Sequence, residues 1–249
     1  MKRAVGVLRR AWDAISSEAR QVHFKWWPTC VVAYATFALL LPEYHKGKWL
    51  FAFYGWLGGD DVVRFCRMAQ LSFRFLLEVP LPMVLILVSG KKLSEHGLGL
   101  GKFRTGMKMT VLFYLLYVPC FVVLFMNSGF QQYYSGITQH IHSWPEFVNK
   151  EIVSTSVLCL RTEFLFRGFL LFGVARSCGP YAGVLVQIIP YVLAHAGKAP
   201  MEAFGSFPVG MALAYLALKT DSIWYGAFLH GTIAVLFNAL ILYLHFAGH

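Results

Sequence analysis

Charge is scarce in this chain. Only 14% of its 249 residues are charged, while 57% are hydrophobic. Soluble domains carry about a quarter charged residues and are about half apolar, so a soluble globular fold is excluded. Cysteine is sparse and unpatterned. Cys30, Cys66, Cys120, Cys159 and Cys178 are odd in number, widely spaced and never in a CxxC pair, which excludes a disulfide framework or a cysteine-rich zinc module. No HExxH is present, so no metalloprotease helix is signalled. Glu163, His195 and His230 make a zinc set in principle, but they lie in three separate segments whose spacing carries no metal signal. His140 and His142 are too short a pair to count. No cofactor is implied. Linkers rich in Ser, Gly and Pro, low-complexity tracts and internal repeats are also lacking. Residues 1–25 stay charged throughout with no apolar stretch of their own, unlike a secretory signal peptide.

What the chain does have is long apolar runs. Mean hydropathy is +0.57, and a spanning helix needs about 20 apolar residues. The runs predict an all-α polytopic transmembrane bundle, with spans near 26–41, 68–88, 109–126, 152–174, 181–195, 204–218 and 222–246. The aromatic run at 49–59 reads as interfacial, re-entrant or a thin further span, giving seven or eight spans. Upstream, Val5, Leu8, Trp12 and Ile15 recur at helical spacing with Arg9, Arg10, Asp13 and Ser16 opposite. That pattern predicts an amphipathic interfacial helix over 1–25, followed by one transmembrane domain over 26–249.

The net charge of +10 is local. Residues 1–25 carry Lys2, Arg3, Arg9, Arg10, Arg20 and Lys25 against Asp13 and Glu18. The segment 90–108 carries Lys91, Lys92, Lys102, Arg104 and Lys108 against Glu95. Such clusters set membrane topology and contact anionic lipid headgroups; nucleic acid is not an expected partner. If 49–59 does not span, both clusters fall on one, cytoplasmic, side. If it spans, they fall on opposite sides. The charge pattern favours the first arrangement.

The stretch Arg161-Thr162-Glu163-Phe164-Leu165-Phe166-Arg167-Gly168 sets charge in the middle of an apolar run. A charge at bilayer depth costs about 2.5–3.5 kcal/mol on insertion scales, so it marks a functional site by default. Glu163 and Arg167 share a helix face in the favourable order. The plainer reading is a self-neutralising pair, and Arg74 and Glu78 have the same spacing in an earlier run. His195 closes an apolar segment, where a histidine is often only a cap. His230 lies about 12 Å along its helix from Ser222. Together these residues point to buried acid–base chemistry.

Here the residues carry a resemblance. Residues 150–245 resemble the CPBP family, the CAAX-protease and bacteriocin-processing intramembrane glutamic endopeptidases. The family motif EExxxR, usually followed by Gly, is matched by Thr162-Glu163-Phe-Leu-Phe-Arg167-Gly168. FxxxH is matched by Tyr191-Val-Leu-Ala-His195, and HxxxN by His230-Gly-Thr-Ile-Ala234. The stretch from Gly210 to His230 is also similar. The resemblance implies a bundle of eight spans. It also implies water activation by the first glutamate and the FxxxH histidine, with the HxxxN pair stabilising the oxyanion.

The chain departs at two positions. Thr162 stands where the first glutamate belongs, and a hydroxyl does not take a proton near neutral pH. Ala234 replaces the asparagine, and losing an oxyanion donor can cost about 10²–10³ in rate. Asn238 lies two turns from His230 rather than one. Glu163 points about 100° round the helix from Thr162. Glu202, opening the next apolar run, is a second candidate base, or else an acid favoured by its helix dipole with Lys198 as partner. The leading expectation is an intramembrane endopeptidase cutting a membrane-embedded or lipid-associated protein or peptide, in a bacterial cytoplasmic membrane. Glu163 or Glu202 would act with His195, His230 would donate to the oxyanion, and Arg167 would hold Glu163. The alternative is a catalytically inactive scaffold or regulator on the same fold. A small transporter fits less well, since no paired broken helices are seen.

Overall fold

The structure is a computed structural model that describes residues 25–45, 60–126, 131–132, 141, 143–148 and 153–247. The expected interfacial helix over 1–25, the run at 49–59 and the pair His140 and His142 lie outside the described residues. Every regular element described is helical: α1 (Trp26–His45), α2 (Asp60–Glu78), α3 (Pro80–Val88), a 3-10 turn (Leu93–His96), α4 (Phe103–Phe125), α5 (Trp144–Phe147), α6 (Val153–Glu163), a π-helix (Phe164–Leu171), α7 (Phe172–Cys178), α8 (Pro180–Leu193), α9 (Pro200–Thr220) and α10 (Trp224–Ala247).

Helix boundaries follow backbone chemistry. The span expected over 68–88 is present as Ala69–Val88, irregular only at Val79, between α2 and α3. Pro80 has no N–H to donate and its ring clashes with the carbonyl four residues back. Pro180 and Pro200 open α8 and α9 at the first turn, where the missing N–H costs nothing. The chain from Val153 to Cys178 continues as α6, the π-helix and α7. The widened turns fall on the stretch holding Arg167 and Gly168, and π turns are frequent at functional sites.

Three helices are long and apolar enough to cross a membrane: Ala69–Val88, Pro200–Thr220 and Trp224–Leu244. Trp26–Pro42 and Pro180–Leu193 are shorter apolar helices. The outside of the bundle is apolar too, with Leu115, Val123, Leu185, Ile189, Phe204 and Leu236 all exposed. Water does not tolerate such a continuous apolar surface; hydrocarbon does.

The interior is built round the π-helix. Phe164, Leu165, Phe169 and Leu171 are fully buried with Val31 of α1, Ile86 of α3 and Ile223 before α10. Gly168 allows the closest approach. A Cβ there would lie 2.7 Å from the Phe164 ring and 3.1 Å from the His96 carbonyl oxygen. In return His96 donates Nδ1–H to the Gly168 carbonyl over 2.9 Å. The glycine after the motif arginine is therefore where the 91–102 loop docks into the bundle.

That docking fixes which ends meet. Lys91 stands over the Trp27 ring at 5.2 Å, and Trp27 meets His96 edge-on at 5.7 Å. Lys25 bonds the Ser177 carbonyl at the end of α7. Arg176 donates to the Glu95 carbonyl over 2.6 Å, and Lys102 pairs with Asp221 after α9 at 2.8 Å. The start of α1 and the basic 90–108 segment thus share one end of the bundle.

Candidate active site

Glu163 closes α6 and is completely buried, as is Arg167 one turn on in the π-helix. Glu163 Oε1 takes two donors: Arg167 Nη1 at 3.1 Å and His230 Nδ1 of α10 at 2.9 Å. Glu163 Oε2 has no hydrogen-bond partner; it faces Gly226, where a Cβ would come within 3.1 Å of it. A carboxylate paired with Arg only accepts, so His230 carries its proton on Nδ1 and leaves Nε2 bare. The His230 side chain is 26% exposed while Glu163 is 0% exposed, so His230 is the accessible member of this dyad.

Arg167 is held on three sides. Besides Glu163, it lies 4.1 Å over the Tyr191 ring of α8, and its Nη2 reaches the Gly210 carbonyl of α9 at 3.5 Å. Gly210 is small because the Tyr191 ring would meet a Cβ at 2.7 Å. Tyr191 is the first residue of the FxxxH-like motif. Its aromatic face, not a catalytic hydroxyl, explains an aromatic there: a desolvated guanidinium over a ring gains about 2 kcal/mol.

His195 follows the end of α8 and is buried. Its Nδ1 donates to the Tyr191 carbonyl over 2.8 Å, since a carbonyl can only accept; its Nε2 is also bare when neutral. Its ring lies 4.6 Å from the Tyr191 ring, and it is within electrostatic reach of His230, Arg167 and Lys198. Glu202 in the first turn of α9 pairs with Lys198 at 2.6 Å, half-exposed. Lys198 in turn reaches Cys159 electrostatically, and Glu202 reaches Tyr117 of α4. Four of the five candidate residues, Glu163, Arg167, His195 and His230, gather round Tyr191; Glu202 sits at the rim.

Thr162, in the place of the family's first glutamate, bonds its hydroxyl back to the Leu158 carbonyl at 2.9 Å. That is the usual fate of a threonine inside a helix, and it turns the group away from chemistry. Among the described residues no three His, Cys, Asp or Glu side chains come close enough to hold a metal.

Residues 152–236 match the model of a family described as type II CAAX prenyl endopeptidase, Rce1-like. That segment is similar to that family. No curated protein and no solved structure matches the chain. The family match covers Glu163, Arg167, Tyr191, His195, Glu202 and His230, and with the apolar helices it makes the chain an integral membrane protein.

Two features of this CAAX-protease-like core went unread in the sequence. Glu78 does not rely on Arg74 alone, as its spacing suggested; it pairs across helices with Arg161 at 2.7 Å, both side chains nearly buried, so the charge beside Thr162 clamps α6 to α2. Gln187 is wholly buried with neither amide atom bonded. Gln187 and Tyr191 share one face of α8, and His195 follows four residues on, just past its end, a polar spacing that was visible in the sequence.

Proposed function

We propose that the protein is an intramembrane endopeptidase that hydrolyses a peptide bond in a membrane-embedded or lipid-associated protein or peptide. One observation carries the reading. His230, partly exposed, donates Nδ1–H to a fully buried Glu163 that is itself anchored by Arg167. Arg167 keeps Glu163 ionised at bilayer depth. Glu163 fixes the tautomer of His230 and stabilises the imidazolium that forms. His230 Nε2 takes the proton of an attacking water and returns it to the leaving amine. His230 is thus a better base than the oxyanion donor its motif position implies, because a carboxylate shared by two donors is a poor base. His195 Nε2 holds the water on its other side.

The test is cleavage by purified protein in lipid nanodiscs, read by mass spectrometry on lipidated peptides, prenylated ones included since the family's name specifies them. Wild type should yield new C-termini, and His230→Gln and Glu163→Gln should each lose at least 100-fold, the range of general-base catalysis. A second reading, a catalytically silent scaffold, draws on the self-bonded Thr162 hydroxyl. It wins if wild type cuts nothing and the pair Thr162→Glu with Ala234→Asn creates cleavage.

A further inference from the structure

We infer that the outer groove between α1 and α7 holds one anionic phospholipid, with its phosphate on Lys25 and an acyl chain along the groove. None of Glu163, Arg167, His195 and His230 lines this groove, so the inference stands whether or not the protein cleaves peptides. The groove follows from how the two helices meet. Gly173 of α7 lets α1 approach until a Cβ there would lie 2.9 Å from the Val31 side chain, and Val31 is fully buried on the inner face of α1. The outer faces carry small side chains. They leave a groove of about 610 Å³ lined by Lys25, Thr29, Val32, Ala33, Val174 and Cys178. The Thr29 hydroxyl is spent on the Lys25 carbonyl, 3.0 Å away, so the walls are apolar and the one cation stands at the mouth. A peptide docked here would leave its backbone polar groups unpaired against those walls. A phospholipid brings one anionic head and a chain with no polar groups to satisfy.

Charge at the mouth suits that head. Lys25 donates one ammonium N–H to the Ser177 carbonyl, which fixes the side chain at the end of α7 and leaves two of its three donors for a phosphate. The first turn of α1 holds no acidic residue, and Arg176 is the one charged residue of α7. Lys25, Lys91 and Arg176 outnumber the Glu95 carboxylate at this corner of the bundle.

Depth suits the chain. Trp26, next to Lys25, and Tyr181, three residues after Cys178, are both exposed. Aromatic rings with a polar edge sit at headgroup level, so Lys25 lies at that level too. Ala33 is eight residues on, about 12 Å deeper at 1.5 Å per residue. The groove therefore runs from the headgroups into the hydrocarbon. A lipid seated there joins α1 to α7, which continues from the π-helix that carries Arg167.

Native mass spectrometry of the full chain in detergent, titrated with phosphatidylglycerol or phosphatidylcholine, tests this without any cleavage assay. Wild type should hold one phosphatidylglycerol more tightly than any further copy, and phosphatidylcholine about fivefold more weakly, the effect of one basic residue at a lipid headgroup. Lys25→Ala should weaken phosphatidylglycerol by about the same factor, and Lys25→Arg should keep it. Ala33 is exposed on the outer face, so Ala33→Trp fills the groove without touching the core and should weaken binding at least tenfold with Lys25 intact. Lys92 is exposed at the same end but off the groove, and Lys92→Ala should bind as wild type does. Equal binding of the two lipids, an equal loss in Lys92→Ala and Lys25→Ala, or unchanged binding in Ala33→Trp each overturns the inference. A photoreactive benzoylphenylalanine in place of the exposed Cys178, irradiated in mixed bilayers of the two lipids, should gain the mass of one phosphatidylglycerol. A cross-link to residues 1–24 would instead put the chain's own N-terminal segment in the groove and overturn the inference.

Discussion

Removing the Glu163 charge should destabilise the bundle far more than removing both members of its pair. The Arg167 guanidinium is completely buried, 3.1 Å from Glu163 Oε1, with one weak carbonyl contact and the Tyr191 ring as its other support. Glu163→Leu strands that charge. Breaking a buried pair from one side costs about 3–5 kcal/mol. For a chain of this size each kcal/mol moves Tm by about 2–4 °C, so Glu163→Leu should lower Tm by about 6–20 °C. Arg167→Met should cost about the same, since His230 alone then balances Glu163. The double variant Glu163→Leu with Arg167→Met leaves no stranded charge. It keeps only an unsatisfied His230 N–H, worth about 1–3 kcal/mol. Its loss should therefore be smaller than either single loss, a coupling of about 3 kcal/mol or more. Thermal unfolding in detergent, followed by tryptophan fluorescence, measures all four proteins. If the double variant loses the sum of the two singles within about 0.5 kcal/mol, the pair is not coupled and the ion-cluster account fails.

Other outcomes follow from single contacts. Arg161→Met should lower stability by about 3–5 kcal/mol, and adding Glu78→Gln should restore most of it; a double variant as unstable as the single would break the α6–α2 clamp. Glu202→Gln should cost at most about 1 kcal/mol and less than tenfold in cleavage, because its pair with Lys198 is part-exposed; a 100-fold loss would make Glu202 the base instead. Gly168→Ala should unseat the 91–102 loop, since its Cβ would meet Phe164 at 2.7 Å and the His96 carbonyl at 3.1 Å, and limited proteolysis of that loop should rise. Burial is the main force holding the His96 imidazole below its usual 6.5, with its bond to Gly168 pulling partly back. The unfolded chain then takes up a proton that the folded chain refuses, so stability should fall as pH drops below about 6.5. His96→Gln should flatten that slope; an unchanged slope assigns it to other groups.

Much of this was legible because membrane depth makes polarity expensive. Glu163, Arg167 and His230 stood out as polar residues in apolar runs, and burial brings them into direct contact. The helices were legible from length and hydropathy; the part played by Pro80, Pro180 and Pro200 at their ends went unread. Pairings between helices were not. Glu78 looked like the partner of Arg74 because spacing reports only one helix, whereas its bonded partner Arg161 is 83 residues on. The π-helix left no periodic signature, since eight residues are too few to shift a hydrophobic pattern. Gln187 was passed over because a lone amide in an apolar run looks neutral until its four-residue spacing to Tyr191 and His195 is noticed. The placement of the basic loop depended on contacts between distant segments, among them Gly168 with His96 and Arg176 with Glu95, that no sequence rule predicts.

The central claim is that His230, oriented by Glu163, activates water for peptide hydrolysis. Quantitative sequencing of new N-termini tests it most directly, in membranes holding equal amounts of folded wild type, His230→Gln or Thr162→Ala. The account predicts a set of new termini in wild type and Thr162→Ala that is lost in His230→Gln. New termini that persist in His230→Gln, or that vanish with Thr162→Ala, would contradict it.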